Sequence, residues 1–121
     1  MIRVKRVYNP LSDDDGQRFL VERLWPRGVK RADAALSGWL KDLAPSAELR
    51  RWFDHDPARW EEFQQRYAAE LQTEDKQARL RELAATARHE TVTLIYSARD
   101  AQHNNALTLQ HILEQYGLSH S

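Results

Sequence analysis

The chain has 121 residues, of which 41% are hydrophobic and 30% are charged, and its formal net charge at pH 7 is zero. This balance is typical of one globular domain, and no apolar run approaches the roughly 18 residues of a membrane-spanning helix. The absence of cysteine excludes disulfides, thiolate nucleophiles and cysteine-ligated metal or iron-sulfur sites. We therefore expect one soluble domain, and because the first ten residues do not resemble a signal peptide, a cytoplasmic location.

The charges are unevenly distributed along the chain. Residues 1–31 contain eight basic and four acidic residues, which gives +4, so the remainder carries −4. The basic residues of this segment are Arg3, Lys5, Arg6, Arg18, Arg23, Arg27, Lys30 and Arg31. A local excess of this size favours a site for a small anion over broad nucleic-acid binding, whose affinity comes from many phosphate contacts.

The first third of the chain predicts two strands. Ile2 and Val4 alternate with charged residues, which indicates a strand ending near "YNP", and "SDDDG" then reads as a turn. Residues 19–25, "FLVERLW", are apolar on both alternating sets and predict a strand buried on both faces. Pro26 is expected to stop this strand, since proline cannot donate to the ladder.

Helical patterns follow. "ADAALSGWL" predicts a short helix with Leu36, Trp39 and Leu40 facing inward, and Ser46 is a plausible N-cap for the next one. The clearest helix is "DHDPARWEEFQQRYAAEL", with Asp56 at the N-cap and Pro57 at the first helical position. Its apolar side chains, spaced by three and four residues, are Trp60, Phe63, Tyr67 and Leu71.

The last third predicts a helix over about residues 74–88, a β-branched strand "TVTLIY", and a final helix over "LTLQHILEQYG", with an apolar stripe that begins at Ala106 and with Gly117 as its C-terminal stop. Together these elements predict a single α/β domain over residues 1–121, with a small, mainly parallel sheet of three or four strands flanked by helices. The pairing of the first two strands stays open, because their connection is shorter than a crossover helix normally needs.

Two polar segments each follow a predicted strand, "ERLWPRG" over residues 22–28 and "YSARDAQHNN" over residues 96–105. The carboxyl ends of parallel strands lie at one edge of a sheet, where helix N-termini also point, so the two segments would converge if both strands are parallel. Such a cluster is suited to a phosphate, sulfate or carboxylate. The residues expected to hold this anion are Arg23, Arg27, Gly28, Ser97, Arg99 and Asn104.

His103 and Asp100 are the candidate catalytic residues, with His103 as proton carrier and Asp100 orienting it. Structural roles are the alternatives for both, since Asp100 is also placed to cap the last helix and His103 to be a half-buried histidine bonded to backbone. Arg23 could likewise form a structural ion pair with Glu22, Asp42 or Asp100.

Other groupings favour structural readings. Asp54, His55 and Asp56 are adjacent and project in different directions, so we do not expect a metal site there. The aromatic residues between positions 52 and 67 are more typical of a core than of a base-stacking surface. The chain has no Gly-rich phosphate loop, "GxSxG" elbow or "HExxH" helix, so no named catalytic motif and no cofactor are indicated.

The stretches "LVERLWPRGV", "WLKDLAPSAELRRWFDHDPARWEEFQQRYAAEL" and "TLIYSARDAQHNNA" resemble YeaO-like members of the domain-of-unknown-function 488 family of small bacterial proteins, over nearly the whole chain. The resemblance implies a compact α/β fold and no agreed biochemical role. The polar motif positions it implies are Arg23, Trp25, Pro26, Arg27, Gly28, Lys41, Asp42, Pro45, Trp52, His55, Arg99, Asp100, His103 and Asn104.

Longer members of that family carry a Cys at the end of the last strand and a Cys-His-Arg run at the start of the following helix. By this resemblance, Tyr96 stands in this chain where those members have the first Cys, and residues 104–106, "NNA", stand where they have the Cys-His-Arg run. The resemblance therefore implies no thiol chemistry in this chain.

Three functional hypotheses follow. The first is a domain that binds a small anionic or phosphorylated ligand at the carboxyl ends of its strands, with hydrolysis or group transfer as the reaction class to test. The second is a non-catalytic module that binds a protein or nucleic acid through its basic N-terminal third. The third is that the polar cluster is a structural hydrogen-bond network.

Overall fold

The computed structural model describes residues 1–119 and contains one four-stranded sheet in the order β1-β4-β2-β3, with every neighbouring pair parallel. The strands are β1 (Ile2–Arg6), β2 (Gln17–Leu20), β3 (Gly38–Trp39) and β4 (Val92–Tyr96). The helices are α1 (Arg31–Ala34), α2 (Ala47–Phe53), α3 (Trp60–Glu70), α4 (Glu74–Ala87) and α5 (Asn105–Ser119). Three single 3-10 turns cover Asp13–Asp15, Lys41–Leu43 and Pro57–Arg59. The predicted α/β class and parallel sheet are confirmed.

Strand β4 lies in the interior of the sheet. Val92 is in register with Ile2 of β1 on one side and with Gln17 of β2 on the other. All five residues of β4 are buried, which explains why its sequence is apolar and β-branched throughout and does not alternate between apolar and polar residues. Its carboxyl end is therefore the centre of the edge where the predicted site lies.

The first two strands do not pair with each other, because β4 lies between them. The connection over residues 7–16 has no α-helix and returns to the amino edge of the sheet through the 3-10 turn at Asp13–Asp15. The hydroxyl of Thr93 in β4 donates to the carbonyl of Asp15 at 2.6 Å, which holds this connection against one face of β4. The sequence left the pairing of the first two strands open; in the structure they are joined by a short crossover and do not pair with each other.

Hydrophobic clusters cover both faces of the sheet. Val92, Leu94 and Tyr96 face a large core formed mainly with α2 to α5. On the opposite face Ile95 and Leu20 pack with Val7 and with partly buried side chains from the segment after β2. The chain that follows β2 therefore covers the face opposite α5.

The predicted strand over residues 19–25 is wrong in its second half, since β2 ends at Leu20. The N–H of Val21 still donates to Ile95 at 3.0 Å, but the Glu22 carboxylate then turns to Ser97. Trp25 lies on the opposite face, where its indole N–H donates to Val29 O at 2.7 Å. The strand ends through these side-chain contacts, six residues before Pro26 could have interrupted its ladder.

Two helix boundaries also differ from the predictions. The helix in "ADAALSGWL" stops after Ala34, because Ala35 adopts the left-handed conformation with φ 48°, and Gly38–Trp39 then pairs with β2 as an edge strand. A Cβ on Gly38 would lie 3.1 Å from the Phe19 ring, so glycine suits this close approach. Helix α5 continues to Ser119, so Gly117 is not its C-terminal stop.

The N-cap predictions for Ser46 and Asp56 are confirmed. The Ser46 hydroxyl accepts the N–H of Leu49 at the start of α2, and the Asp56 carboxylate accepts the N–H of Ala58 at the turn that leads into α3. Within residues 1–119, no helix has the length and apolar character required to cross a membrane.

Candidate functional site

The two polar segments predicted to converge are in contact at the carboxyl edge of the sheet. The Glu22 carboxylate, two residues past β2, accepts the Ser97 N–H at 2.9 Å and the Ser97 hydroxyl at 3.1 Å, just past β4. The Asn105 amide at the start of α5 donates to Val21 O at 2.6 Å. Because the chain leaves β2 on one face and β4 on the other, this contact lies at a topological switch point, where ligands of α/β proteins usually bind.

Glu22 is a site residue that the sequence predictions missed. Its relative exposure is 7%, and no Lys, Arg or His in the described part of the chain forms an ion pair with it. Its backbone carbonyl accepts the Trp39 indole N–H at 2.6 Å, which fixes the main chain here. The available signal was a carboxylate inside the apolar run "FLVERLW", where a buried strand would exclude one.

The donors of Ser97 and the side chain of Asn104 are engaged by the protein itself. Glu22 holds both donors of Ser97. Asn104 is buried, its amide N–H donates to Asp100 O at 3.0 Å, and its amide oxygen accepts the N–H of Leu107 at 3.1 Å. Asn104 therefore caps the first turn of α5.

Asp100 orders the turn that precedes α5 and does not cap the helix, which starts at Asn105. Its Oδ1 accepts the N–H groups of Gln102 at 2.8 Å and His103 at 3.1 Å. The hydrogen bond from the Gln102 N–H, followed by that from the His103 ring, holds the pKa of Asp100 below its usual value. The carboxylate thus stays ionised and fixes the loop between β4 and α5.

His103 is held by Asp100 and not by backbone. The ring Nδ1 lies 2.8 Å from Asp100 Oδ2, and the ring stands edge-on to Trp60 with centroids 5.4 Å apart. The side chain is 30% exposed. With Nδ1 bonded to the carboxylate, Nε2 is the ring nitrogen left for a ligand or a proton. Asp100 orients His103 in the way that acid-base use of the histidine would require.

Of the three predicted arginines, Arg23 has a hydrogen-bond partner in the described chain, and Arg27 and Arg99 do not. Arg23 donates from Nε to Pro45 O at 3.2 Å and forms no ion pair with Glu22, Asp42 or Asp100, the alternatives considered from the sequence. Arg27 and Arg99 are exposed, and within residues 1–119 neither guanidinium has a hydrogen-bond or ion-pair partner. Gly28 lies beside Arg27 in an exposed turn with φ 73°.

Arg6 and Tyr8, which the predictions did not include, connect these segments. Arg6 Nε donates to Ala98 O at 3.0 Å, and its guanidinium lies 4.7 Å from the centroid of the Tyr8 ring. The Tyr8 hydroxyl donates in turn to Arg27 O at 2.9 Å. We call the region formed by the half-buried Arg6 and the exposed Tyr8, Arg27 and Arg99 the strand-end surface.

Other basic residues of the N-terminal third stabilise the fold. Lys5 and Arg18 both contact Asp15, at 3.0 and 2.6 Å, and Asp15 is only 2% exposed. Burial alone would raise the pKa of Asp15, but hydrogen bonds from Lys5, from the Ser12 N–H and from Arg18 outweigh it and lower the pKa. These two cations are therefore not available to a ligand.

The possible metal ligands, the aromatic cluster and the surface cavities do not add residues to the candidate site. No three His, Asp or Glu side chains within residues 1–119 are placed to share a metal ion. Phe53 and Phe63 stack with centroids 4.4 Å apart inside the main core, so the aromatic cluster is largely interior. Two surface cavities of about 440 Å³ lie between α3, α4 and α5 and beside Gly16, and the predicted site residues line neither of them.

Comparisons with known proteins agree with the sequence resemblance. "Uncharacterized protein YeaO" of Escherichia coli is 43% identical over 108 residues, covering 89% of this chain and 92% of the relative. "Uncharacterized protein Rv3073c" of Mycobacterium tuberculosis and "Uncharacterized protein Mb3100c" of Mycobacterium bovis are 41% identical over 112 residues, covering 93% and 92%. No solved structure matches the chain significantly. A family model described as "Inactive DUF488-N3 subclade" matches residues 1–120, and the chain belongs to this family, DUF488-N3i.

Proposed function

We propose that this protein binds a small anion, such as inorganic phosphate, on the strand-end surface and does not turn it over. The observation that carries the proposal is that Arg27 and Arg99 are exposed and lack partners in the described chain, at the edge of the sheet where ligands of α/β proteins gather. A guanidinium group offers a planar fork of donors that matches phosphate and carboxylate oxygens.

The surroundings of these arginines support the proposal. Arg6 is held by the carbonyls of Ser97 and Ala98, and Tyr8 connects it to the backbone of Arg27, so both loops are held to the end of β1. His103 lies four residues beyond Arg99, with its ring oriented by Asp100. The backbone that carries Arg27 and Arg99 is therefore held in place before a ligand binds, which lowers the conformational entropy lost on binding.

Binding without turnover is favoured by two considerations. The family description contains the word "Inactive", and Ser97, the one hydroxyl among the predicted anion ligands, is hydrogen-bonded to a buried carboxylate. The Asp100–His103 pair is nevertheless arranged for acid-base work, so hydrolysis or group transfer must be tested directly. We expect no turnover of p-nitrophenyl phosphate. If the wild-type protein hydrolyses it and His103→Ala does not, the proposal of binding without turnover is wrong and the protein is an enzyme.

The binding proposal is tested by titrating inorganic phosphate into the wild-type protein and two variants, followed by amide NMR shifts. Arg27→Ala and Arg99→Ala are each expected to weaken binding roughly three- to tenfold, because each removes a charge-assisted contact at an exposed site. Arg88→Ala is the matched control, since Arg88 is also exposed. No phosphate-dependent shifts, or equal affinities in all four proteins, would contradict the proposal.

The second candidate is a non-catalytic module for nucleic acid or an acidic protein. Residues 23–31 contain four basic residues and no acidic one, which favours it. Lys5, Arg6 and Arg18 are engaged within the fold, so charge reversal there would disturb the structure as well. The sharper test uses Arg27→Ala with Lys30→Ala and a fluorescent single-stranded oligonucleotide. Affinity that falls steeply with salt and is lost in the double variant would support this candidate.

A further inference from the structure

The Ser97 N–H and hydroxyl form a pair of donors aimed at one point, and that point is occupied by the carboxylate of Glu22. Both donors meet the same oxygen, Glu22 Oε1, at 2.9 and 3.1 Å. A backbone N–H with an adjacent hydroxyl at the carboxyl end of a parallel strand is an arrangement that holds anionic oxygens. The occupant here is part of the chain.

The position of Glu22 is energetically unusual. Removing a carboxylate from water is unfavourable by several kcal/mol unless a cation or several donors compensate it. Glu22 is 7% exposed, and the described chain supplies it with no ion pair. The two donors of Ser97 are thus its main compensation, which indicates that they are well matched to a carboxylate.

A related arrangement occurs elsewhere in the described residues. Glu70 of α3 accepts the N–H of Ser46 with Oε1 at 2.8 Å and the hydroxyl of Ser46 with Oε2 at 2.5 Å, where it fixes the start of α2. Tyr67 is buried near both carboxylates, and burial, together with the charges of Glu22 and Glu70, raises the pKa of its hydroxyl. Two serines in this fold therefore each hold one carboxylate by an N–H and a hydroxyl together.

We propose that Ser97 forms an anion-binding notch for a carboxylate, and that Glu22 is its intramolecular ligand, so that the innermost part of the strand-end site is closed by the chain itself. This goes beyond the phosphate proposal, because the notch uses neither Arg27 nor Arg99. It also explains why an external anion would bind further out, on the strand-end surface, where the arginine side chains are free.

The test is chemical rescue. Glu22→Ala removes the side chain beyond Cβ, and acetate is the missing fragment. Acetate at about 100 mM is expected to raise the Tm of Glu22→Ala by roughly 4 °C, as for a ligand with Kd near 10 mM, while propionate, one methylene larger, gives a smaller shift. In the wild-type protein and in Glu22→Gln the side chain at position 22 still fills the notch, so their Tm shifts measure the general effect of the salt. Equal Tm shifts in all three proteins would overturn the proposal.

A second measurement covers the case in which Glu22→Ala does not fold. In Glu22→Gln the neutral amide holds the Ser97 N–H less strongly than a carboxylate does, so hydrogen exchange at that amide is expected to be at least about fivefold faster than in the wild type. Exchange at Val92, at the other end of β4, serves as the internal reference. Unchanged exchange at Ser97 would contradict the inference, and neither result depends on whether phosphate binds at Arg27 and Arg99.

Discussion

Asp15 lies between Lys5 and Arg18 in the connection from β1 to β2, and its own N–H and carboxylate are bonded to Ser12. Replacing it by Asn would leave two cations without their acidic partner in a mostly buried place. Asp15→Asn is expected to lower the free energy of unfolding by about 3 kcal/mol, measured by urea denaturation. Asp13→Asn, an exposed acidic residue of the same turn, is the control and should change stability by less than about 0.5 kcal/mol.

The pH dependence of stability provides a further check on Asp15. Its pKa is lower in the folded protein than in the unfolded chain, so its stabilisation is present above the unfolded value of about 4 and is lost as pH falls through the folded value. The stability difference between wild type and Asp15→Asn should therefore narrow as the pH is lowered from about 5 to 2. A difference that stays constant over this range would contradict the ionic role.

At the scale of single residues, some contacts could be predicted and others could not. Asp100 and His103 are three residues apart, and the local sequence was enough to predict that one would orient the other. Glu22 and Ser97 are 75 positions apart, and their contact depends on the alignment of β2 with β4. A sequence pattern contains no information on that alignment, so the closed notch was not predicted.

Gly16 and Gly28 show how the turns between elements depend on glycine. Both have positive φ, 62° and 73°, but a Cβ on Gly16 would lie 2.1 Å from Thr91 O, whereas a Cβ on Gly28 would meet nothing within 4 Å. We expect Gly16→Ala to destabilise the protein by roughly 3 kcal/mol or more, since both backbone strain and a steric clash with the main chain result. Gly28→Ala should cost only about 1 kcal/mol, from strain alone.

Thermal unfolding of the two glycine variants measures this difference directly. Equal losses of stability would mean that the connection from β1 to β2 moves freely against Thr91. Such an outcome would contradict the close packing of that connection at the amino edge of the sheet.

At the scale of elements, the predictions held where local signals agree. The 3-10 turn that leads into α3 has a cap and a proline, and α3 itself has a regular apolar stripe, whereas α4 has its stripe alone. Strand β3 is two residues long and exists only because Gly38–Trp39 meets β2, so no periodicity could reveal it. The early end of β2 likewise results from tertiary contacts, those of Glu22 with Ser97 and of Trp25 with the smaller core.

For the whole molecule, stability is expected to come mainly from the cores on the two faces of the sheet. Leu94 is completely buried in the larger core, whereas Leu24 is 67% exposed. Leu94→Ala is expected to lower the free energy of unfolding by roughly 3 kcal/mol or more through loss of apolar contacts and formation of a cavity. Leu24→Ala is the matched control and should change it by less than about 0.5 kcal/mol in the same denaturation experiment.

A loss at Leu24 as large as that at Leu94 would contradict the view that stability comes mainly from the two cores.

The α/β class and the contact between the two polar segments were predicted from strand-loop-helix order, because the carboxyl edge of a parallel sheet follows from that order alone. Which arginines stay free was not predicted, since it depends on the partners that the fold brings to each side chain.

The insertion of β4 between β1 and β2 also sets the order in which the protein can assemble. The first two strands lie near the amino end of the chain, yet each is paired with a strand that begins at Val92. While the chain is being synthesised, the β1 and β2 edges that β4 will occupy stay unpaired until about three quarters of the residues have been made. Such non-local pairing slows folding, and helices α2 to α4 can form before the sheet does.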